Sequence, residues 1–202
     1  MRIHDEIIQN TDEWFAIRLG KATSSNFAKV LAKGQGKTRK AYMLKLAAER
    51  LTGEIQDSYS NSNMDWGSEH EGEARRHYET IRGMSVEQVG FVEFDDDVGC
   101  SPDGLIGDDG LLEIKCPNTT THMEYIIADK LPTTYKAQVQ GQLWVTGREW
   151  CDFVSFDPRM DSNKMFCVRV ERDQNYIDNL QYEVEKFVKE LKDMCSHFSS
   201  PF

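Results

Sequence analysis

Residues 100–117 read Cys-Ser-Pro-Asp-Gly-Leu-Ile-Gly-Asp-Asp-Gly-Leu-Leu-Glu-Ile-Lys-Cys-Pro, with apolar runs set around two turns. Asp103 follows Ser101-Pro102 and precedes Gly104, which holds its carboxylate at a turn closing one strand. Glu113 and Lys115 lie two apart, so a strand period of two puts both on one face and Leu112, Ile114 and Cys116 on the other. Two readings stay open from these residues alone. One is an ordinary solvated hairpin; the other is a metal site with a lysine beside it.

The second reading has a definite chemistry. Carboxylates from Asp103 and Glu113 on neighbouring strands can bind Mg²⁺ or Mn²⁺, which prefer hard oxygen ligands. Lys115, on the same face, is placed to orient or deprotonate a water. In phosphodiester hydrolysis such a metal polarises the phosphoryl oxygen and lowers the pKa of bound water. The spacing D-x9-E-x-K is loose, so other stretches matter. Glu71 belongs to a helix where Glu69, Glu71 and Glu73 crowd with His70 and His77; it either completes coordination through a water or is part of a solvated face. Gln138 and Gln142 share one side of an otherwise small and apolar helix whose packing face is Ala137, Gly141 and Trp144. Arg18 and Ser25 flank a turn suited to a terminal phosphate, because hydroxyls, a helix N-terminus and a guanidinium all suit that anion. The bland reading of Arg18 is a surface residue extending a short helix.

Working outward, the periodicity predicts helices over 13–19, from the 23–26 turn to about 32, over 39–51 and over 63–80, with a polar loop at 56–63. Strands are predicted over 86–93, 98–101, 111–116, 150–156 and 164–172, and further helices over 120–127, 134–146 and from Asp173 onward. This order predicts a single α/β domain over residues 1–202, with a mixed central sheet flanked by helices.

The composition is that of a globular chain, with 39% hydrophobic and 29% charged residues over 202 positions. No run approaches the roughly 20 apolar residues that span a bilayer, and the first residues do not read as a signal peptide. Five widely spaced cysteines predict reduced thiols in a cytoplasmic protein without a CxxC zinc pair. The net charge of −10 hides a polarity along the chain: residues 33–45 carry five basic groups and no acid, and residues 85–113 carry nine acids and no base. Nucleic acid therefore stays open as a partner, since phosphate binding needs a local positive surface rather than a positive total. Lys33-Gly-Gln-Gly-Lys-Thr38 lacks the upstream glycine of a phosphate-binding loop. His70 and His77, two helical turns apart, have no third zinc ligand nearby.

Taken in order, Trp14–Gly20, Trp66–Glu71, Ser101-Pro-Asp-Gly104, Glu113-Ile-Lys-Cys-Pro117, Ala137-Gln-Val-Gln140 and Phe156-Asp-Pro-Arg-Met160 resemble the lambda exonuclease family, the YqaJ-like viral recombinase branch of the PD-(D/E)xK nucleases. The resemblance runs from about residue 13 to 187. It implies a restriction-endonuclease-like core and a 5′-to-3′ exonuclease that digests one strand of linear double-stranded DNA. The products are 5′-mononucleotides and a 3′ single-stranded tail. It further implies two Mg²⁺ ions (with Mn²⁺ as a substitute), a homotrimeric ring, a single-strand annealing protein as partner, and a phage or prophage origin in a bacterial cytoplasm. Residue by residue, it makes Asp103, Glu113 and the Ile114 carbonyl metal ligands, and Lys115 the base or water-positioning group. Glu71 and Gln138 become partners completing the cleft; Arg18, Ser25 and Ser101 become a pocket for the 5′-phosphate. Thr120 and Thr121 depart from the family's serine and DNA-anchoring arginine. The competing function is a site-specific or structure-specific endonuclease of the same superfamily.

Overall fold

The computed structural model describes residues 1–33, 36–56 and 62–199, with 62–65 and 199 described for their backbone alone. The loop expected at 56–63 therefore lies mostly outside the described residues. In chain order the elements are β1 (Arg2–His4), α1 (Asp12–Arg18), β2 (Ala22–Thr23), α2 (Phe27–Val30), α3 (Lys37–Thr52) and α4 (Ser62–Arg82). They continue with β3 (Phe91–Glu93), β4 (Val98–Cys100), β5 (Gly104–Ile106), β6 (Gly110–Lys115), α5 (Thr119–Ala128), α6 (Lys136–Thr146), β7 (Trp150–Phe156), β8 (Met165–Glu171) and α7 (Gln174–Ser199).

The strands form two mixed four-stranded sheets among the described residues, ordered β1-β3-β4-β2 and β5-β6-β7-β8. The single central sheet expected from the sequence is thus divided, and the division falls at Ser101-Pro102-Asp103. Proline has no N–H to give to a ladder, so the chain leaves the first sheet after Cys100 and enters the second at Gly104. Within the second sheet, β6 runs antiparallel to β5 and parallel to β7. Only three residues of β5 pair with β6, the last being Gly104 opposite Leu112. Beyond that point the edge of β6 carrying Ile114 has no strand neighbour on that side, and the site is built there. The expected strand at 86–93 reduces to β3 and one bridge at Glu87.

Side-chain alternation on β6 sorts the two cores. Leu112, Ile114 and Cys116 pack with Ala74 and Tyr78 of α4 and with Phe156. Leu111 belongs to the larger core, where Tyr42, Met43 and Leu46 of α3, Val139 and Leu143 of α6, and Ile177, Leu180, Val184, Phe187 and Leu191 of α7 meet. The three-to-four spacing of the α7 residues is the apolar stripe of a helix lying along a core. Residues from both ends of the chain share this core.

Local signals explain the helix bounds. Thr11 caps α1 by accepting the Trp14 N–H, and Asn118 caps α5 by accepting the Thr121 N–H at 2.9 Å. Helix α6 ends at Gly147, in the left-handed region with φ +69°. Gly141, inside α6, is there for space: a Cβ would lie 2.4 Å from Phe27 Cδ2. A glycine-to-alanine change within a helix ordinarily stabilises by about 1 kcal/mol. Here we expect Gly141→Ala to do the opposite, lowering stability by about 1–3 kcal/mol through overpacking. A urea midpoint that stays put or rises would contradict this close approach.

Candidate active site

Glu113 is the most enclosed of the acids at the end of β6, its side chain only 1% exposed. Gln138 Nε2 donates to its Oε1 at 2.5 Å and Gln142 Nε2 to its Oε2 at 2.6 Å. Lys115 Nζ lies 2.5 Å from Oε1. The face shared by Glu113 and Lys115 on the strand therefore meets the face shared by Gln138 and Gln142 on α6. Burial pulls the Lys115 ammonium towards neutrality, but Glu113 and Asp103 outweigh it and the net shift is upward. In this arrangement Lys115 is a charged hydrogen-bond donor, and the ring of Tyr135 stands 5.4 Å from its Nζ.

Asp103 turns back onto β6. Its N–H donates to the Leu112 carbonyl at 3.1 Å, and its Oδ2 accepts the Ile114 N–H at 2.6 Å. The N–H and C=O of one strand residue point to the same edge, so the Ile114 carbonyl faces the same unpaired edge as Asp103. Burial, then Glu113, then Glu71 push the Asp103 carboxyl well above its usual range. Glu71 comes from α4 and pairs with Arg75. Burial raises its pKa and Glu113 adds to the rise, while Arg75 opposes both. Arg75 also reaches the Asp103 carbonyl at 3.3 Å, tying α4 to the turn.

Three mutually repelling acids around one lysine form an arrangement that a hard cation would relieve. Asp103, Glu113 and the Ile114 carbonyl suit Mg²⁺, which takes one or two carboxylates and keeps waters or substrate oxygens in its other positions. No three His, Cys, Asp or Glu side chains among the described residues form a ready-made cage. The groups open into a cleft of about 660 Å³ whose wall includes Glu71, Asp103, Ile114, Lys115, Tyr135 and Arg159.

Arg18 lies next to this cluster. Its Nη1 donates to Ser101 Oγ at 2.9 Å, two residues before Asp103, and its guanidinium carbon sits 3.9 Å from the Trp14 ring centroid. Trp14 Nε1 donates to the same hydroxyl at 2.9 Å. No carboxylate lies within ion-pair distance of Arg18 among the described residues, and burial lowers its pKa to about 10. Ser25 is placed differently from this pair. It is exposed, with its hydroxyl 3.4 Å from both Thr23 Oγ1 and Asn26 Nδ2, and no contact joins it to Arg18 among the described residues. Thr121 serves α5 through its N–H on Asn118.

Sequence reasoning gave no role to three side chains here. Gln142 was placed with Gln138 on one helix face, but not as a second donor to Glu113. Arg75 could have been read as the i+4 partner of Glu71. Arg159 stood in Phe156-Asp-Pro-Arg-Met160, one of the stretches that carry the resemblance, but was given no role; it enters the cleft from a turn 42 residues beyond Pro117, whose carbonyl it meets at 3.2 Å.

Residues 13–149 match the family model described as the YqaJ-like viral recombinase domain. The chain belongs to that family. Its fold is that of an alkaline exonuclease (LHK-Exo) from Laribacter hongkongensis, with a TM-score of 0.88 and 44% identity over 93% of this chain and 96% of that one. The same relative has been solved in complex with dAMP, with the same extent of match. A phage-related exonuclease from Haemophilus somnus 129PT has the same fold at 18% identity, with a TM-score of 0.70 over 89% of this chain and 96% of that one.

One acid of the neighbourhood gives a pH signature. Asp157 is fully buried, which by itself raises its pKa; bonds from Arg159 and Thr119 reverse this and hold it at about 2, against an ordinary 3.8. A depressed carboxylate contributes stability that is present above the ordinary value and lost as pH falls through the folded one. The melting-temperature difference between the wild type and Asp157→Asn should therefore shrink between about pH 4 and pH 2. A constant difference across that window would count against the assignment.

Proposed function

We propose that this chain is a metal-dependent exonuclease of the lambda exonuclease type. It digests the 5′-ended strand of linear double-stranded DNA in the 5′-to-3′ direction and releases 5′-mononucleotides. The observation that carries the reading is the convergence of Asp103, Glu113 and Lys115 at the end of β6, beside a partly buried arginine that has no carboxylate partner among the described residues. The alkaline exonuclease and its dAMP complex support it, since dAMP has the form of a mononucleotide product.

Asp103, Glu113 and the Ile114 carbonyl would hold the divalent cation, Mg²⁺ or Mn²⁺. Glu71 and oxygens of the scissile phosphate would serve a second one. When bound, the metal polarises the phosphoryl oxygen and makes its water more acidic. Lys115 holds a water or a phosphate oxygen by a charged hydrogen bond, and Glu113 sets where that ammonium can reach. Gln138 and Gln142 fix the Glu113 carboxylate. Arg18, with Ser101, grips the terminal 5′-phosphate; a desolvated guanidinium without an acid is a strong receptor for that group. Ser25 would join only if the substrate brings its hydroxyl and Arg18 to one phosphate.

The bacterial cytoplasm is the proposed setting, with a phage-type annealing protein coating the exposed 3′ tail. No helix of the described residues is long and apolar enough to cross a membrane. A homotrimeric ring would keep DNA enclosed between cuts. Burial and the nearby Lys45 lower the pKa of Lys29, so these two cations lie close together. Arg39 is less available to DNA inside such a ring, because it pairs with Glu190 at 2.7 Å.

Lys115→Ala should lower the rate on linear duplex by about 10²-fold or more while DNA binding persists. Asp103→Ala and Glu113→Ala should also weaken calorimetric uptake of Mg²⁺ or Mn²⁺. End-labelled linear duplex and a closed circle, digested side by side, test the reading itself: the circle should survive, and its cutting would favour the endonuclease alternative. Arg18→Ala should slow 5′-phosphorylated ends more than 5′-hydroxyl ends, and sedimentation should give three protomers. Equal slowing of both ends defeats the pocket, and a monomer or dimer at working concentration defeats the ring.

A further inference from the structure

Among the described residues the cleft wall holds two cations, Lys115 and Arg159. Lys115 is taken up by Glu113 at 2.5 Å. Arg159 is held in another way. Its Nε and Nη2 fork onto Asp157 at 2.7 and 3.0 Å, Nη2 also donates to the Pro117 carbonyl, and its guanidinium carbon lies 4.5 Å from the Trp66 ring centroid. The carboxylate beneath it is fixed in turn by the Thr119 hydroxyl at 2.6 Å and the Arg159 N–H at 3.0 Å. Even so, the Arg159 side chain is 46% exposed, and its Nη1 makes no hydrogen bond among the described residues. A long side chain is here locked by a fork, a carbonyl and an aromatic face, with one nitrogen left over.

The bland account is that Arg159 only neutralises Asp157. That account does not require the guanidinium to line the cleft, to be nearly half exposed or to lie against Trp66. Helix α5, which starts beside it, supplies no lysine or arginine of its own from Thr119 to Ala128. On the Pro117 side of Lys115, Arg159 is the cation of the cleft wall among the described residues. A planar guanidinium with its orientation fixed beforehand suits a phosphate oxygen, because little side-chain freedom remains to be lost on contact.

We infer that Arg159, braced by Asp157 and Trp66, binds one phosphodiester of the DNA strand lying across the cleft, on the Pro117 side of the metal-binding acids. The inference rests on the nuclease reading above. It is separate from the terminal-phosphate grip of Arg18, since Arg159 meets an internal phosphate whatever the chemistry of the 5′ end. It acts on binding and alignment of the strand, so its loss weakens duplexes with 5′-phosphate and with 5′-hydroxyl ends alike.

The test measures dissociation constants of linear duplex between about 50 and 200 mM salt in a Lys115→Ala background, with and without Arg159→Gln. Removing one phosphate contact should flatten the slope of log K against log salt by about 0.9. Because Arg159→Gln leaves Asp157 buried without its partner, the pair Asp157→Asn with Arg159→Gln is measured beside it; this keeps the turn neutral and should show the same flattening. Arg159→Lys should restore the slope but not the full affinity, having the charge without the fork. In the otherwise wild-type enzyme, Arg159→Gln should raise KM more than it lowers kcat. An unchanged slope in both the single and the paired variant overturns the role of Arg159 while leaving the nuclease reading intact. A wild type that neither binds nor cuts linear duplex overturns both.

Discussion

The bond between Glu113 and the two amides of α6 is the constraint on which the rest of the site depends. An ionised carboxylate carried into a packed layer is tolerated only when its oxygens are paired and hydrogen-bonded. Strand β6 forces that situation, because the alternation that sends Leu112 and Ile114 to the α4 side sends Glu113 between the sheet and α6. Helix α6 meets the demand with Gln138 and Gln142, one turn apart. The second amide gives its nitrogen to Glu113 although its own Oε1 has no partner among the described residues. That choice shows which group dominates: orientation of the carboxylate outweighs satisfaction of the amide. Helix α6 also lies close to α2, and Gly141 against Phe27 makes that approach possible.

A second constraint is topological. Because the chain changes sheets at Pro102, Asp103 arrives where β5 has barely begun, and its carboxylate takes the place a further β5 residue would occupy opposite Ile114. One side chain thus substitutes for a strand and leaves a backbone carbonyl facing open space. Arg148 secures the far end of the same hairpin, its Nη1 donating to the carbonyls of Gly107 and Gly110 at 2.7 Å each. The hairpin is held at its tip by Arg148 and at its base by Arg75, so Asp103 and Glu113, the two acids proposed to hold the cation, are fixed relative to each other before substrate arrives. Preorganisation of this kind is what electrostatic catalysis requires.

How much of this was legible depended on the range of the interaction. The faces of Glu113 and Lys115, the apolar stripe of α7 and the bounds of β7 followed from period alone, which acts within one element. Strands β1, β2 and β5 escaped because two or three residues carry no period; neighbours in space create them. The division of the sheet was written in Pro102, but only the register of β6 shows that the missing N–H ends a ladder. Gln138 was found through resemblance and Gln142 was seen as sharing its face, yet that both grip Glu113 depends on how α6 docks. Arg159 was seen only as part of the resembling stretch Phe156–Met160, and its place in the cleft was hidden for the same reason, since it depends on how that turn docks. Ser25 is the converse case: a hydroxyl suited to a phosphate by sequence, left exposed by the turn that carries it.

The acidic net charge of the chain takes its meaning from where the cations are held. A pair such as Lys136 with Asp173 joins two half-exposed groups whose attraction solvent weakens. The cations around the cleft are few, but each is fixed: Arg18 by Ser101 and Trp14, Lys115 by Glu113, Arg159 by Asp157 and Trp66. A polyanion approaching an acidic protein is repelled at long range, where salt screens the interaction beyond about 8 Å. At contact, the local fork geometry decides. An acidic exterior with locked basic groups inside a cleft therefore disfavours DNA lying loosely on the surface and favours a strand that has entered, and for an enzyme acting from ends that difference is itself a form of selectivity.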